Sequence, residues 1–275
     1  MNGVLAINKP QGMTSFDVVK KISKALHVKA GHTGTLDPMA TGVLLVCVNQ
    51  STKLVPYLMS SIKTYEAEMT FGIQTDSLDI TGEVTANQPI VPVDLATAKK
   101  ACQDVVGIQD QQVPKVSAVR VNGKRLYKTK EEVELPTREI TVYACEALET
   151  TDTSMSYVAT VSKGTYIRVL TQTIAKKLSN IATTSVLTRT LNNHVKIEEC
   201  QSIEDAINNP KWLDYKRLLK DYVIIELEDP TFVVHGKTCT LDVAEDMVCF
   251  FYEQQPYAIY KRKEENLFKS ERGLF

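Results

Sequence analysis

The sequence predicts an α/β fold followed by a small all-β module. Two observations indicate the α/β part: apolar residues recur at helical spacing after Thr14, and they alternate at strand spacing in residues 63–71. A third indicates the module, because the chain after residue 220 changes to short β-like runs separated by turns. The 275 residues are enough to bury a sizeable core.

Composition narrows the class of protein. Apolar residues make up 43% and charged residues 24%, as in an ordinary globular protein rather than a disordered or fibrous one. The formal net charge of −1 excludes no partner, since binding to nucleic acid requires a basic face and not a basic average. The cysteines lack C-x-x-C spacing and the histidines lack ligand spacing, so we expect neither a disulfide framework nor a metal site. Without a signal pattern or a run of 18 apolar residues, we expect a soluble, cytoplasmic protein.

The N-terminal elements follow from local patterns. The first segment predicts a strand that ends in a turn at Lys9 and Pro10. Thr14 and Asp17 then have the spacing of a capping box, which predicts the start of a helix. The run "VLLVCV" at 43–48 predicts a buried strand. The inward face expected for the helix is Phe16, Val19, Ile22 and Leu26.

The middle of the chain alternates between strand and helix patterns. In 63–71, Tyr65 and every second residue after it are apolar, as in a half-buried strand. Asp94 and Ser202 each predict a helix N-cap. Residues 156–178 predict a strand, a tight turn, an extended piece through Arg168 and then a helix.

A basic segment spans residues 115–130, with six Lys or Arg and no acid. A solvated loop is one interpretation of such a charge run. The other is a nucleic-acid surface, because Tyr127 and apolar residues are interleaved with the charges and suit phosphate contacts combined with packing.

One acid, Asp37, stands in the glycine-rich stretch "GHTGTLDPMATGVL" at 31–44. An Asp-Pro pair often only starts a turn. Here the proline restricts the residue before it to extended backbone, and the glycines allow a flat ligand to approach closely. No Lys or Arg lies between residues 30 and 52, so the counter-charge has to come from elsewhere in the fold. This pattern is typical of a presented nucleophile or base.

The stretch around Asp37 resembles the catalytic motif of the tRNA pseudouridine-55 synthases. Four further segments resemble motifs of that family in the same order: "NKPQGMTS", "KTYEAEMTFGIQTDSLDITGEV", "VPKVSAVRVNGKRLY" and "SKGTYIRVL". The resemblance implies an α/β (α+β) fold with a mixed, largely antiparallel sheet flanked by helices. It also implies a catalytic unit over residues 1–220, with an RNA-covering segment at about 111–137. Residues 221–275 would form a small, RNA-binding, PUA-like β domain.

The resemblance also implies a role for each matching residue. Asp37 would attack the target nucleotide or abstract a proton from it, and Arg168 would keep that carboxylate ionised. Tyr65 would stack on the uracil and serve the later removal of the C5 proton. The residues assigned to substrate binding are His32, Tyr166 and Leu187 at the pocket, Lys9 and Pro10 at the active-site loop, and Lys124, Arg125 and Lys128 on the basic segment. No cofactor is expected, and the expected partner is the T-arm of tRNA, bound by a monomer.

Simpler interpretations of these residues stay open at this level. Tyr65 and Leu187 fit a plain hydrophobic core, and Arg168 could be a surface charge. The chain also departs from the family pattern, so we expect activity with altered substrate affinity. The departures are Val113, Val116 and Arg120 in the RNA-covering segment, Thr173 for an aspartate, Thr188 for an arginine and Asn193 for a glycine.

Two other functions compete with uridine isomerisation. The first is an RNA chaperone that flips and refolds the tRNA elbow without needing chemistry. The second is an Asp-dependent hydrolase, in which Asp76 or Asp79 would be the second carboxylate that such enzymes usually use. Free uracil as a product would support the hydrolase.

Overall fold

The computed structural model describes residues 1–59, 61–117, 119–121, 123–126 and 133–274. The helices are α1 (Ser15–Leu26), α2 (Val55–Leu58), α3 (Leu95–Gln103), α4 (Ile167–Lys177), α5 (Ile203–Asn208), α6 (Tyr215–Leu218) and α7 (Thr231–Val234). The strands are β1 (Gly3–Lys9), β2 (Ala30–His32), β3 (Thr41–Val48), β4 (Lys63–Phe71), β5 (Ile73–Thr75), β6 (Val84–Asn87), β7 (Gly107–Gln112), β8 (Arg120–Val121), β9 (Lys124–Arg125), β10 (Thr137–Thr150), β11 (Ser154–Val161), β12 (Ala182–Asn192), β13 (Val195–Lys196), β14 (Val223–Glu226), β15 (Cys239–Thr240), β16 (Met247–Tyr252), β17 (Gln255–Glu264) and β18 (Leu267–Gly273).

Within these residues, nine strands form the main sheet. Its order is β1-β3-β12-β4-β11-β10-β7, with β2 beside β3 and β13 beside β12. The β3–β12 pair is parallel and the other pairs of this sheet are antiparallel. A second sheet follows near the C-terminus, in the order β14-β16-β17-β18-β15. The predicted α/β fold, with a mixed, largely antiparallel sheet and a C-terminal β module, is confirmed.

Strand β4 lies near the centre of the main sheet and follows the predicted alternation. Its odd-numbered residues from Lys63 to Phe71 are buried, and the even-numbered ones are partly or fully exposed. Strand β3 is buried along almost its whole length, as its continuous apolar run predicts. These two strands bracket β12, and the active-site candidates lie around this junction.

Helix α1 begins as predicted but presents a different face. The Thr14 side chain accepts a hydrogen bond from the Asp17 amide, and the Asp17 carboxylate accepts one from the Thr14 amide. Phe16, predicted to face inward, is 67% exposed. Ser15 takes the inward position because its hydroxyl donates to the Leu36 carbonyl and accepts from the Leu36 amide. The buried face is therefore Ser15, Val18, Val19 and Ile22.

Two further expectations about local structure are wrong. The extended piece predicted through Arg168 ends at Tyr166, which is the N-cap of α4, so Arg168 lies in the first helical turn. Among the short runs after residue 220 that are expected to be β-like is "TFVVH" at 231–235, and it forms α7 instead of a strand. Pro230 fixes a helix-compatible backbone there, and the Asp229 carboxylate accepts a hydrogen bond from the Thr231 amide.

The C-terminal sheet packs against the main sheet. Val4 and Leu45 of the main sheet share one hydrophobic cluster with Phe251 and Ile259 of the module. The proposed boundary at 220/221 falls between α6 and β14, and it stays a prediction.

Gly42 is the glycine that the sheet junction requires. Its φ is +102°, and a Cβ there would lie 2.2 Å from the Arg189 carbonyl oxygen on β12. We expect Gly42→Ala to lower the free energy of unfolding by about 3 kcal/mol or more, from backbone strain and the clash together. Gly12→Ala is the control, since its φ is also positive at +82° but its Cβ would meet nothing within 4 Å. Urea denaturation of both variants checks this; equal midpoints would contradict it.

Candidate active site

Asp37 and Arg168 form a partly buried ion pair. Asp37 lies in the loop between β2 and β3, and Arg168 lies in the first turn of α4. The Arg168 Nε is 2.9 Å from Asp37 Oδ2. The guanidinium is buried, whereas the Asp37 side chain keeps 34% of its surface open. The expectation that a distant cation supplies the counter-charge of Asp37 is confirmed.

Arg168 is held on all sides by groups other than Asp37. Its Nη1 lies 3.5 Å from Asp79 Oδ2 and donates to the Ser77 carbonyl, and its Nη2 donates to the Val116 carbonyl at 3.0 Å. Asp79 Oδ1 accepts hydrogen bonds from the Ser77 hydroxyl and from Thr81. With its oxygens engaged and its side chain buried, Asp79 supports Arg168 and does not face an incoming ligand as the second carboxylate of a hydrolase would.

The pKa of the Asp37 carboxyl is set by burial and by the charges of its neighbours, which act in opposite directions. Burial by the surrounding protein raises the pKa of the Asp37 carboxyl above its usual value, and the Arg168 guanidinium opposes that rise. The negative charge of Asp79 adds to the rise. The carboxylate thus lies in a setting that makes it a stronger base than a solvated aspartate.

A cleft of about 730 Å³ opens beside the ion pair. Five of the residues predicted to form the site line it together: Asp37, Tyr65, Tyr166, Arg168 and Leu187. They come from one loop, from β4 and β12, and from the N-terminal end of α4. Tyr65 and Leu187 are buried, as a core role would require, but they also form a wall of the cleft. The cleft has room for a nucleotide base with its sugar.

Lys63 and Arg189 also line this cleft, and sequence reasoning did not identify them. Both are buried. A signal for each was present in the strand period: Lys63 precedes Tyr65 by two residues and Arg189 follows Leu187 by two, so each pair shares a face of its strand. The expected surface character of Lys and Arg hid that signal.

Arg189 connects three parts of the site. Its Nε donates to the Val43 carbonyl at 2.7 Å, and its Nη2 donates to the Gly34 carbonyl at 3.1 Å. Its Nη1 is 3.4 Å from the Tyr65 hydroxyl, and the guanidinium carbon lies 5.9 Å from the centre of that ring. Arg189 therefore fixes the tyrosine relative to the glycine-rich loop.

Lys9, Pro10 and His32 do not line the cleft. The Lys9 ammonium is fully buried and donates to the carbonyls of Pro10 (2.9 Å), Met13 (2.6 Å) and Pro38 (3.4 Å). His32 Nδ1 accepts a hydrogen bond from the Gly34 amide at 3.3 Å. Lys9 and His32 thus support the Asp37 loop from behind. The bonds of Lys9 agree with the expectation that it supports the active-site loop, and contact of Lys9, Pro10 or His32 with substrate stays a prediction.

The basic segment is only partly described. The backbones of Lys124 and Arg125 form β9, which pairs with β8, but their side chains and that of Arg120 lie outside the description. Lys128 and Tyr127 lie outside the described residues altogether.

The structure accounts for two of the departures from the family pattern. Asn193 has a left-handed φ of 50°, which asparagine tolerates best after glycine, and its side chain donates to the Leu218 carbonyl at 3.0 Å. The Thr188 hydroxyl is 2.9 Å from the Thr41 hydroxyl across the β3–β12 pair. Both side chains thus have partners within the fold, and neither residue lines the cleft.

Comparison with known proteins decides the family. Residues 20–167, more than half of the chain, match the family described as "TruB family pseudouridylate synthase (N terminal domain)". The chain belongs to this family. The enzyme is therefore an isomerase, and the matched residues include Asp37, Tyr65 and Tyr166. Arg168 lies one residue beyond the match.

Named relatives agree with this family. A protein of Bacillus licheniformis named tRNA pseudouridine synthase B is 44% identical, in an alignment that covers 74% of this chain and 70% of the relative. The protein of the same name from Bacillus subtilis is 43% identical, in an alignment that covers 80% of this chain and 81% of the relative. Among solved structures, a Cbf5-Nop10-Gar1 complex has a chain that shares the fold, with a TM-score of 0.76 at 23% identity, over 99% of this chain and 85% of that one.

The described part of the synthase was also compared with the requirements for a membrane span and for a metal site. No helix in the described ranges is long and apolar enough to cross a membrane. The same residues contain no group of three or more His, Cys, Asp or Glu arranged to hold a metal ion.

Proposed function

We propose that this enzyme converts uridine 55 in the T-loop of tRNA to pseudouridine, with Asp37 as the essential acid. The observation that carries the proposal is the Asp37–Arg168 ion pair on the wall of a cleft that Tyr65 and Leu187 also line. The names of the relatives, which are tRNA pseudouridine synthases B, support tRNA as the substrate.

The reaction assigns each cleft residue a task. The C1′–N1 bond breaks with its electron pair left on the uracil, the base turns, and a new bond forms between C1′ and C5. C5 then loses its proton and N1 carries one in the product, so that the atoms balance. Asp37 attacks the nucleotide or abstracts a proton, and Arg168 favours its ionised form. Tyr65 stacks on the flipped uracil and serves the removal of the C5 proton, while Leu187 lines the same wall of the cleft. The isomerisation involves no net oxidation or reduction, so the chemistry itself requires no redox cofactor.

The charge of the cleft favours a polyanion. Its lining includes five cationic residues and two acidic ones. The cations are Lys63, Arg138, Lys163, Arg168 and Arg189, and the acids are Asp37 and Glu139. Because Arg168 is already paired with Asp37, the remaining cations face the space that a folded RNA loop would enter.

We infer also that the basic segment contacts tRNA phosphates. Replacing Lys124, Arg125 and Lys128 together with glutamine is expected to flatten the dependence of tRNA affinity on salt, since each phosphate contact releases counterions. The slope of log K against log salt should fall by about 0.7 to 0.9 for each phosphate that the variant no longer neutralises. Filter binding across a salt series measures this, and an unchanged slope would remove the segment from the interface.

The remaining parts of the proposal concern organisation. We infer that residues 221–275 form an RNA-binding, PUA-like domain, and that the enzyme binds tRNA as a monomer in the cytoplasm. Sedimentation of the purified protein with and without tRNA would test the oligomeric state.

The direct test is release of tritium from an unmodified tRNA transcript labelled at uridine C5. Release into water, from position 55 alone, is the expected result. Tight binding without release would contradict isomerisation and favour the refolding chaperone. Free uracil would favour a hydrolase.

A further inference from the structure

Lys63 is a buried cation without an anionic partner. Its side chain lines the cleft, yet the residue is only 6% exposed. The ammonium donates to the carbonyls of Met59 at 3.1 Å and Ser61 at 2.8 Å, and no carboxylate of the described residues forms an ion pair with it. Buried charges are usually paired, so a buried ammonium that is held only by carbonyls at the edge of a cleft requires an explanation.

The charged groups that face Lys63 are also cations. Arg189 on β12 and Lys163 in the turn before α4 both act on it with positive charge. Burial, and then these two charges, lower the pKa of Lys63 to about 7. An anion placed between the three groups would relieve the repulsion and restore the charged form of the lysine.

Two hydroxyl groups add neutral donors to the same cleft. The Thr33 and Ser117 hydroxyls are buried, and neither has a hydrogen-bond partner among the described residues. Both residues line the cleft with Lys63. Thr33 directly precedes Gly34, whose Cβ position would be 3.6 Å from the Lys63 Cε, so the glycine-rich loop packs against the lysine stem. Unsatisfied buried hydroxyls are uncommon and often mark a place where a ligand completes the bonding.

We propose that Lys63 is the centre of an anion subsite that binds a backbone phosphate next to the flipped uridine, with Lys163, Arg189 and the hydroxyls of Thr33 and Ser117 around it. The inference rests on the proposed function, since it takes the substrate to be RNA. Lys63 thereby positions the nucleotide and does not take part in bond making. The phosphate supplies the counter-charge that the free protein lacks.

The subsite accounts for the location of Lys63 relative to the catalytic residues. Lys63 and Tyr65 share one face of β4, two residues apart, so a phosphate held by the lysine places its own nucleotide beside the tyrosine ring. The Gly34 loop, which also carries Asp37, lies against the lysine stem. One phosphate contact would thus orient the target nucleotide toward both Tyr65 and Asp37.

The test pairs Lys63→Met with RNA that carries a single uncharged methylphosphonate linkage. A T-arm stem-loop is prepared with this linkage on the 5′ or the 3′ side of the target uridine, and dissociation constants are measured for each combination. We expect wild-type protein to lose about tenfold or more in affinity with one of the two linkages, as for a hydrogen bond to a charged group. Lys63→Met should lose a similar factor with natural RNA and nothing further with that linkage.

The outcomes separate the subsite from its alternatives. Equal affinities of wild type and Lys63→Met for natural RNA would overturn the proposal. The proposal would also be overturned if each of the two linkages weakened the binding of Lys63→Met by the same factor as it weakens the binding of wild type. Lys99→Met, an exposed lysine on α3, is the matched control for the removal of one charge and should leave the affinity unchanged. Thermal unfolding checks that Lys63→Met is folded. If it is not, Lys63→Arg with the same RNAs replaces it and should retain the sensitivity to the linkage.

A pH series provides a second reading with the same proteins. Because the free lysine has a lowered pKa and the phosphate restores its charge, binding takes up a proton, and wild-type affinity should weaken as the pH rises from about 6.5 to about 8.5. Lys63→Arg, which stays charged, should bind with a flatter dependence. If wild-type protein shows the linkage effects but releases no tritium, the proposed isomerisation is contradicted and the phosphate subsite is supported. If it releases tritium but shows no linkage effect, the isomerisation is supported and the subsite is contradicted.

Discussion

Asp37→Asn is expected to abolish turnover while leaving tRNA affinity within about tenfold, or roughly 1.4 kcal/mol. The amide has almost the same size as the carboxylate and can still accept a hydrogen bond from Arg168, whose other contacts to Asp79, Ser77 and Val116 remain. It can neither attack the nucleotide nor accept a proton as a carboxylate does. Tritium release in single turnover and a binding titration with the same tRNA would measure both quantities.

The control for this variant is Asp110→Asn, which removes an exposed carboxylate on β7. It should keep both wild-type rate and wild-type affinity. If Asp37→Asn instead loses far more than tenfold in affinity, or unfolds, Asp37 has a structural role. Residual turnover within tenfold of wild type would remove Asp37 from the chemistry.

Arg168→Met is expected to lower the single-turnover rate by on the order of 10³-fold, the larger of the usual costs of removing one preorganised electrostatic group. The methionine fills a similar volume but leaves Asp37 and Asp79 without their shared cation. With the opposing charge gone, the pKa of Asp37, already raised by burial, should rise further. Rates measured between about pH 5 and pH 9 should therefore show the acid limb displaced to higher pH than in wild type.

The free energy of unfolding should also depend on pH through the Asp37 carboxyl, and the raised pKa of that carboxyl fixes the direction of the dependence. A carboxyl whose pKa is raised in the folded state stabilises the fold at low pH and loses that contribution as the pH rises through the folded pKa. Arg168→Met should thus be destabilised most at neutral or higher pH, by about 3–5 kcal/mol, and less near pH 5. Arg168→Lys keeps the charge without the planar fork and should recover part of the rate. An acid limb that stays in place would show that Arg168 does not control Asp37.

Patterns that repeat along one segment were readable from the sequence. The alternation of β4, the buried run of β3 and the capping box of α1 each depend on neighbours a few residues apart, so periodicity and side-chain chemistry suffice. The inward face of α1 was not readable, because it depends on a bond between Ser15 and Leu36 in a distant loop.

The residues of the site differ in the same way in how far the sequence predicts them. Asp37 was conspicuous in the sequence because its surroundings lack charge, which predicted a distant cation but not its identity. The identity of Arg168 follows from the resemblance to a family, and the supporting role of Asp79 is evident only in the structure. Lys63 and Arg189 were missed because the usual exposure of such residues outweighed a strand period that places both inside.

The junction between β3 and β12 gives the main sheet a mechanical character. These strands pair through only two residue pairs, Thr41 with Thr188 and Gly42 with Arg189, whereas β1 and β3 pair through seven. The main sheet therefore consists of two groups of strands that few backbone pairs join: β1, β2 and β3 in the first group, and the remaining strands from β12 to β7 in the second. Small sliding motions cost least at such a junction. The loop bearing Asp37 belongs to the first group, and Tyr65 and Leu187 belong to the second.

Arg189 links the two groups of strands, since it is part of β12 but donates hydrogen bonds to the carbonyls of Val43 and Gly34 in the first group. A nucleotide held between Asp37 and Tyr65 would connect the same two groups from the cleft side. Binding of the substrate would then add a second link across this junction, beside the one that Arg189 already makes.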